Sequence, residues 1–546
     1  MYRKWHPYYD PGVPYTIPYP QRAPRSYFTE WVKKQPNKVY LIHGDREIAY
    51  QEANSIACKL ANSLIDLGYQ KQDRIALMAP NIPEYVLAQQ ACFKLNAIMV
   101  PTNPAYTSTE LTHQFQDSGT ETVIVFSGAA AKVIEILQNG DTTIKRIIVI
   151  NSPDHINNTK NVSGVFDFYD LVARGADHEP DIEADCEDVC MLQYTGGTTG
   201  VSKGCVLTNA NIEAMAWIDW YWFGTPLRPL EQQFRCLVAV PVYHIYGFNC
   251  NVNLNLIDGG TLILVDAPTT DNLLLNINKH KHNFFFAVPA MIIGLNNHPD
   301  TPSSEIRSIQ GMMCGSSPLA VDTINKLENL TGAKVCEGYG MSETSNIISV
   351  NAFGATKPGT VGFPLPDTDV RVVDLETGTI DVTPGEPGEL ICTGPQNMRE
   401  YWNNPQETAN TIRDGWLYTG DIVSMDEKGY ITILDRKKDM CLCSGFNVFP
   451  REIDEVLYGH PKVFDTCSVG IPDPKRGETI KAFVILKPDE TMTEQEVIDY
   501  CRQYLTPYKV PTAVAFIDEL PRTNVGKPMR VILRDMERAK AKQNQQ

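Results

Sequence analysis

The residues Tyr194-Thr195-Gly196-Gly197-Thr198-Thr199-Gly200-Val201-Ser202-Lys203-Gly204 place four glycines and a single lysine within one short stretch. So little side chain to pack reads as a loop. Glycine's access to positive φ lets successive backbone N–H groups turn inward as a nest for an anion. Thr195, Thr198, Thr199 and Ser202 add hydroxyl donors and Lys203 adds a mobile cation, a set suited to a polyphosphate. The P-loop pattern G-x-x-x-x-G-K-[ST] is not met, because Ser202 stands where the second glycine belongs and Lys203 is followed by Gly204. What flanks the loop sets the fold. Residues 190–194 read as a buried strand and 207–220 as the helix that follows, and strand, phosphate loop and helix form a unit typical of α/β sheets.

The same alternation extends outward in both directions. On the N-terminal side, helices are expected at 27–35, 51–67, 83–95, 111–116 and 129–138, with strands at 39–43, 47–49, 74–78, 98–101, 123–126 and 144–150. Ile56, Leu60, Leu64 and Leu67 recur at helical spacing until Gly68 stops them, whereas 74–78 is an apolar run bounded by Asp73 and Pro80. On the other side, strands are expected at 234–240, 261–264 and 283–288. After about residue 365 the pattern changes to short strands and turns, as at 370–374 and 389–392, which indicates a small β-rich subdomain. Beyond Asp439 the chain reads as α+β, with strands at 464–469, 481–486 and 513–517 and helices at 451–457, 494–505 and 531–539. The expected fold class is α/β: a large N-terminal domain of helix-covered sheets plus a small β-rich subdomain, then a small mobile α+β C-terminal domain.

Length and charge support that division. A chain of 546 residues exceeds what one hydrophobic core usually supports. The segment 436–546 carries 18 Lys and Arg against 16 Asp and Glu, a net +2, which leaves −19 for residues 1–435. Between them, Asp435-Arg436-Lys437-Lys438-Asp439 reads as an exposed connector, or alternatively as a solvated turn within one domain. The net charge of −17 disfavours nonspecific binding to nucleic acid. No apolar run approaches the ~20 residues that span a bilayer, and the Tyr- and Pro-rich start lacks a signal-peptide pattern, so a cytoplasmic location is expected. The 14 cysteines contain no CxxC pair and read as reduced core residues rather than a metal or disulfide framework.

With these motifs in place, the chain resembles the adenylate-forming superfamily of acyl- and aryl-CoA synthetases, peptide-synthetase adenylation domains and luciferases. The loop is similar to that family's Y-T-S-G-T-T-G-x-P-K-G, with Gly196 for Ser and Ser202 for Pro. Pro241-Val242-Tyr243-His244-Ile245-Tyr246-Gly247-Phe248 resembles its acyl-site segment. Glu337-Gly338-Tyr339-Gly340-Met341-Ser342-Glu343-Thr344 resembles its adenine-and-magnesium segment, with Ser342 where Thr is commoner. Gly415-Trp416-Leu417-Tyr418-Thr419-Gly420-Asp421 and the 435–439 run resemble its ribose and hinge segments, and Pro521-Arg522-Thr523-Asn524-Val525-Gly526-Lys527 its terminal lysine motif. The order of the motifs is the family's, over almost the whole chain.

The resemblance implies that a carboxylate attacks the α-phosphorus of ATP, pyrophosphate leaves, and the acyl-adenylate passes to a thiol. An acid already ionised at pH 7 needs no general base, so the demands are charge neutralisation and in-line placement. By resemblance, Lys527 would bridge carboxylate and α-phosphate, Glu343 would hold Mg²⁺, and His244 would gate the path between acyl site and thiol channel. Thr195, Gly196, Gly197, Thr198, Thr199, Gly200, Lys203 and Thr344 would serve the phosphates, and Glu337, Gly338 and Tyr339 the adenine. Asp421 would accept from the ribose hydroxyls, with Arg436 beside it. Taken by themselves, His244 and Tyr339 also fit core packing, and Asp421 a turn cap. Lys438 would be the hinge, with the boundary at 435/436, and Gly445 would border the pantetheine channel. Ile245, Tyr246, Gly247, Gly315, Gly340 and Met341 would line the acyl pocket; all are uncharged, which favours an apolar acid.

After Lys527 only a helix and a polar tail follow, so free coenzyme A is the expected acceptor. The expected activity is that of an AMP-forming acid–thiol ligase, an acyl-CoA synthetase using ATP, Mg²⁺ and CoA and able to run in reverse. The partners are then small molecules, with no nucleic acid and no transmembrane segment, and a homodimer is compatible. The alternatives are a noncatalytic nucleotide or acyl-CoA sensor, and an adenylating enzyme with another acceptor; Lys527, delivered from a second domain, speaks against the sensor.

Overall fold

The computed structural model describes residues 3–140, 142–151, 162–195, 202–227, 233–317, 319–443, 446–473, 475–523 and 526–543. Two large sheets dominate the first two thirds. In one, strands Glu400–Tyr401, Gly204–Thr208, Val189–Tyr194, Ile98–Pro101, Arg74–Met78, Thr122–Phe126, Arg146–Ile150 and Val165–Asp167 lie side by side. From Val189–Tyr194 to Val165–Asp167 the neighbours run parallel, as βα alternation requires. In the other, Phe363–Pro364, Ser349–Val350, Lys334–Tyr339, Gly311–Cys314, Phe284–Ala287, Arg235–Val238, Thr261–Leu264, Val39–His43 and Arg46–Ala49 follow in that order. The helix Pro83–Leu95 is buried at every position. It contacts strands of both sheets, and so is the layer they share. Its composition lacks a polar face for that reason.

The expected α/β class and most elements are present. Residues 39–43, 74–78, 83–95, 98–101 and 261–264 have the expected bounds, and the others shift by a few residues at their ends. One reading is corrected. The loop at 196–201 is followed not by a helix but by the strand Gly204–Thr208, which returns antiparallel to Val189–Tyr194. The helix begins only at Asn209, where Thr208 and Asn211 form a reciprocal capping box. Gly204-Cys205-Val206-Leu207-Thr208 is buried throughout and small or β-branched in part, which suits a strand under a helix layer. Val189–Tyr194 and Gly204–Thr208 are therefore antiparallel neighbours, and residues 196–201 between them lie outside the described residues.

Asp369–Val373, Gly388–Thr393, Trp416–Met425, Ile412–Arg413 and Ile431–Arg436 make the expected small β subdomain. Its last strand runs through Arg436, and Asp435 is buried within it, so only Lys437 and Lys438 of the charged run are exposed. The apolar core breaks between Ile433 and Cys441. Beyond the break, Cys441–Cys443, Phe446–Val448, Val463–Asp473, Gly477–Leu486 and Ala513–Phe516 form a separate sheet. Helices Pro450–Tyr458 and Glu494–Tyr504 contribute to one core cluster on that sheet, and Leu533 of Arg530–Gln543 to another. Thirteen of the cysteines are buried and Cys186 is half-buried, all as free thiols. Among the described residues no helix is long and apolar enough to cross a membrane.

Candidate active site

A cleft of about 960 Å³ opens where the two large sheets, the β subdomain and the C-terminal domain meet. Its floor is set by strands: the end of Val189–Tyr194 delivers Thr195, the end of Lys334–Tyr339 delivers Tyr339 and the turn after it, and the middle of Trp416–Met425 delivers Asp421. Antiparallel pairing sets Asp421 directly opposite Arg436, so that Arg436 Nε stands 3.4 Å from the Asp421 carboxylate. The Tyr339 hydroxyl donates to the same carboxylate at 2.5 Å. Burial next to that charge holds the Tyr339 phenol well above its ordinary range.

Lys527 enters from the far side. Its backbone is fixed by a turn in which Thr523 N–H donates to the Lys527 carbonyl at 2.8 Å and Lys527 N–H to the Thr523 hydroxyl at 3.2 Å. The Arg436 guanidinium, then burial, push the Lys527 ammonium down to about 7, while Asp421 acts in the opposite direction. Two cations set this close repel, and an anion between them relieves that repulsion.

Glu343 is the middle residue of the short turn Ser342–Thr344 and is 8% exposed on the cleft wall. The Tyr401 hydroxyl donates to its Oε1 at 2.6 Å. Lys203 Nζ lies over the Tyr401 ring, 4.7 Å from its centre, and pairs with Glu407 at 2.5 Å. One hard, oriented carboxylate facing an open cleft fits a magnesium ion that keeps most of its shell for phosphate and water; among the described residues no cluster of three metal-ligating side chains competes.

The other end is apolar at first. His244 caps the turn Ile245–Gly247, its Nδ1 accepting from Tyr246 N–H at 3.2 Å, which leaves the ring proton on Nε2. Burial lowers it to about 4, so it is neutral at pH 7. The Tyr246 hydroxyl reaches the carbonyls of Ala287 and Met313 at 3.1 and 3.2 Å, anchoring the ring against Gly315. Gly340 is required by contact, since a Cβ there would lie 1.7 Å from the Asn346 carbonyl oxygen.

The structure thus gathers Thr195, Lys203, His244, Ile245, Tyr246, Gly315, Gly338, Tyr339, Gly340, Met341, Glu343, Asp421, Arg436, Lys438 and Lys527 around one cleft. Three expected residues lie elsewhere. Glu337 accepts from Gly359 N–H at 3.1 Å behind the wall, where burial raises it to about 7. The Thr344 hydroxyl is fully buried and used by the Met341 backbone, which it bonds as both donor and acceptor. Gly247 packs on Pro241, whose carbonyl oxygen a Cβ would meet at 2.3 Å, so its role is packing rather than lining. Gly196, Gly197, Thr198, Thr199, Gly200 and Gly445 lie outside the described residues. Tyr401 and Glu407 were not anticipated: strand Glu400–Tyr401 pairs with Gly204–Thr208, a contact that no local pattern signals.

Residues 28–402 match the AMP-binding enzyme family and residues 452–527 the AMP-binding enzyme C-terminal domain. The chain belongs to the AMP-binding enzyme family. A long-chain-fatty-acid–CoA ligase of Bacillus subtilis is 35% identical over 97% of this chain and 97% of its own length. One from Escherichia coli O157:H7 is 36% identical over 87% of each. In fold, the chain is similar to an anthranilate CoA ligase in complex with anthranoyl-AMP, with a TM-score of 0.87 and 24% identity over 96% of this chain and 99% of that one.

Proposed function

We propose that this enzyme is an acyl-CoA synthetase that condenses a predominantly apolar carboxylic acid with ATP to an acyl-adenylate and pyrophosphate, then transfers the acyl group to coenzyme A. The observation that carries the reading is Lys527, brought from the C-terminal domain into the cleft that holds Asp421, Arg436, Tyr339 and Glu343. A nucleotide sensor would not need that delivery. The long-chain-fatty-acid–CoA ligases among the relatives support a fatty acid as substrate.

Each residue has a defined task. Asp421 takes the ribose hydroxyls, and Tyr339 presents its ring to the adenine once the base enters. Lys527 and Arg436 neutralise the acid and α-phosphate oxygens as they approach, the main requirement when both reactants are anions. Glu343, oriented by Tyr401, would hold Mg²⁺, which when bound offsets charge on the phosphates. Lys203 leaves Glu407 for the departing pyrophosphate. Neutral His244 stands between acyl pocket and thiol path, and Ile245, Tyr246, Gly315, Gly340 and Met341 bound the acyl group. The domain boundary at 435/436 and a pivot at Lys438 belong to the same proposal, in which the C-terminal domain withdraws Lys527 after adenylation. Fourteen free thiols suit a reducing compartment, and the cytoplasm is the location proposed.

ATP–pyrophosphate exchange across a panel of carboxylic acids, followed by acylation of CoA, tests the reading. Acid-dependent exchange with CoA acylation is expected. Exchange with no acid in the panel would favour the sensor, and exchange without acylation another acceptor.

A further inference from the structure

One face of the helix Ser108–Ser118 holds both chain segments from which Thr195 and Lys203 enter the cleft. His113 and Asp117, four residues apart, share that face. His113 Nε2 lies 3.0 Å from the Ser202 carbonyl oxygen, and because a carbonyl only accepts, that nitrogen carries the proton. One turn further on, the Asp117 carboxylate accepts from the Tyr194 hydroxyl at 2.5 Å. The Asp117 carbonyl accepts from Trp402 Nε1 at 3.0 Å, and Trp402 N–H donates in turn to the Gly204 carbonyl at 2.8 Å. Three segments, at Tyr194, Ser202 and Trp402, are thus held by two side chains and a carbonyl of one helix.

The two cleft residues are also tied to each other. Thr195 N–H donates to the Lys203 carbonyl at 3.0 Å, and the Ser202 hydroxyl donates to the Thr195 carbonyl. Thr195 and Lys203 line the cleft, whereas Ser202 and His113 are half-buried outside its lining. The pattern this stretch resembles carries proline where Ser202 stands, a residue whose ring fixes φ. Here a serine ties the same position down by bonding across to Thr195. Misplacing a reacting or binding group by about 1 Å can cost on the order of a hundredfold in rate, so what sets the place of Thr195 and Lys203 sets how well they meet phosphate oxygens.

We propose that Ser202 and His113 are positioning residues for the phosphate side of the cleft: together they fix Lys203 opposite Thr195 and so govern the grip on the β- and γ-phosphates of ATP and on pyrophosphate. The proposal rests on the reading of this cleft as an ATP site and adds to it two residues that act only through their neighbours.

The test is equilibrium binding of ATP and of AMP, each with Mg²⁺, measured by calorimetry on the native chain and four variants. AMP has no β- and γ-phosphates, so it reports the rest of the nucleotide site alone. Ser202→Ala and, independently, His113→Leu weaken ATP about fivefold to tenfold, the scale of one lost hydrogen bond, and leave AMP within about twofold of native. Ser202→Thr keeps the hydroxyl and His113→Gln keeps an N–H donor, and both stay within about threefold of native for either nucleotide. In ATP–pyrophosphate exchange, KM for pyrophosphate rises along with KM for ATP in the two disrupting variants, while KM for the acid does not. A merely structural role would weaken ATP and AMP alike, and that result, or unchanged ATP binding in both disrupting variants, overturns the proposal. The binding ratio needs no turnover and so keeps the two readings apart. A shifted ATP to AMP ratio without exchange on any acid would remove the synthetase and keep the positioning pair, whereas exchange with an unshifted ratio removes the pair alone.

Discussion

At the nucleotide end of the cleft the carboxylates are held by neighbouring donors. Tyr339 and Arg436 share Asp421, Tyr401 holds Glu343, and Lys203 holds Glu407. At the acyl end the side chains are neutral and held by the backbone: the Tyr246 hydroxyl bonds the carbonyls of Ala287 and Met313, and His244 accepts from Tyr246 N–H. Pairing keeps side chains in place before the ligand comes and is exchanged for ligand contacts when it does, so it marks a site for a highly charged, invariant reactant. Neutral side chains anchored to the backbone mark the half where fit is set by shape and apolar contact.

The sharpest way to break this contrast is at Asp421. Asp421→Ala strips Tyr339 and Arg436 of their shared partner and the ribose of its acceptor. KM for ATP is expected to rise about hundredfold or more, with KM for the acid little changed. Steady-state kinetics with each substrate varied checks this, and an equal rise in both would place Asp421 outside the nucleotide half. Next in size, Tyr401→Phe frees Glu343 without removing it. The Mg²⁺ concentration for half-maximal exchange should rise about tenfold, as for the loss of a partner that orients a metal ligand. An unchanged Mg²⁺ dependence would separate Glu343 from the metal.

The smallest effect is in pH. Lys527 is held down at about 7, first by Arg436 and then by burial. In the free enzyme its cation is therefore present below about pH 7 and lost as pH rises through it. The kcat/KM for adenylation, which reports the free enzyme, should fall on that alkaline side. Arg436→Met removes the neighbouring charge and moves the descending limb upward by about one unit, along with a lower plateau. A limb that stays in place would show that Arg436 is not what holds Lys527 down.

Much of this was legible in the chain because the signals are local. Residues 74–78 and 83–95 are bounded by Asp73, Pro80 and Pro83, and the strand and helix start and stop there. The hairpin return at Gly204–Thr208 was missed because Leu207 begins a helix-like apolar spacing. The Thr208 and Asn211 capping pair, three residues apart, was the available sign that the helix starts later. The motifs brought Lys527, Asp421, Arg436 and Glu343 forward as separate candidates, and the fold brings them to one cleft. Their partners were beyond reach: Lys203 meets Glu407 across 204 residues and Tyr401 meets Glu343 across 58. Such pairs follow from which strands lie side by side, which local periodicity does not encode.

The central claim is that the C-terminal domain completes the adenylation site by supplying Lys527. The direct measurement is the two half-reactions of Lys527→Ala, assayed side by side with the native enzyme: acid-dependent ATP–pyrophosphate exchange, and CoA acylation from supplied acyl-adenylate. Exchange should fall about a thousandfold, the scale on which one transition-state charge contact acts, while thioester formation stays within a few-fold of native. An equal loss in both half-reactions, or undiminished exchange, would contradict the account.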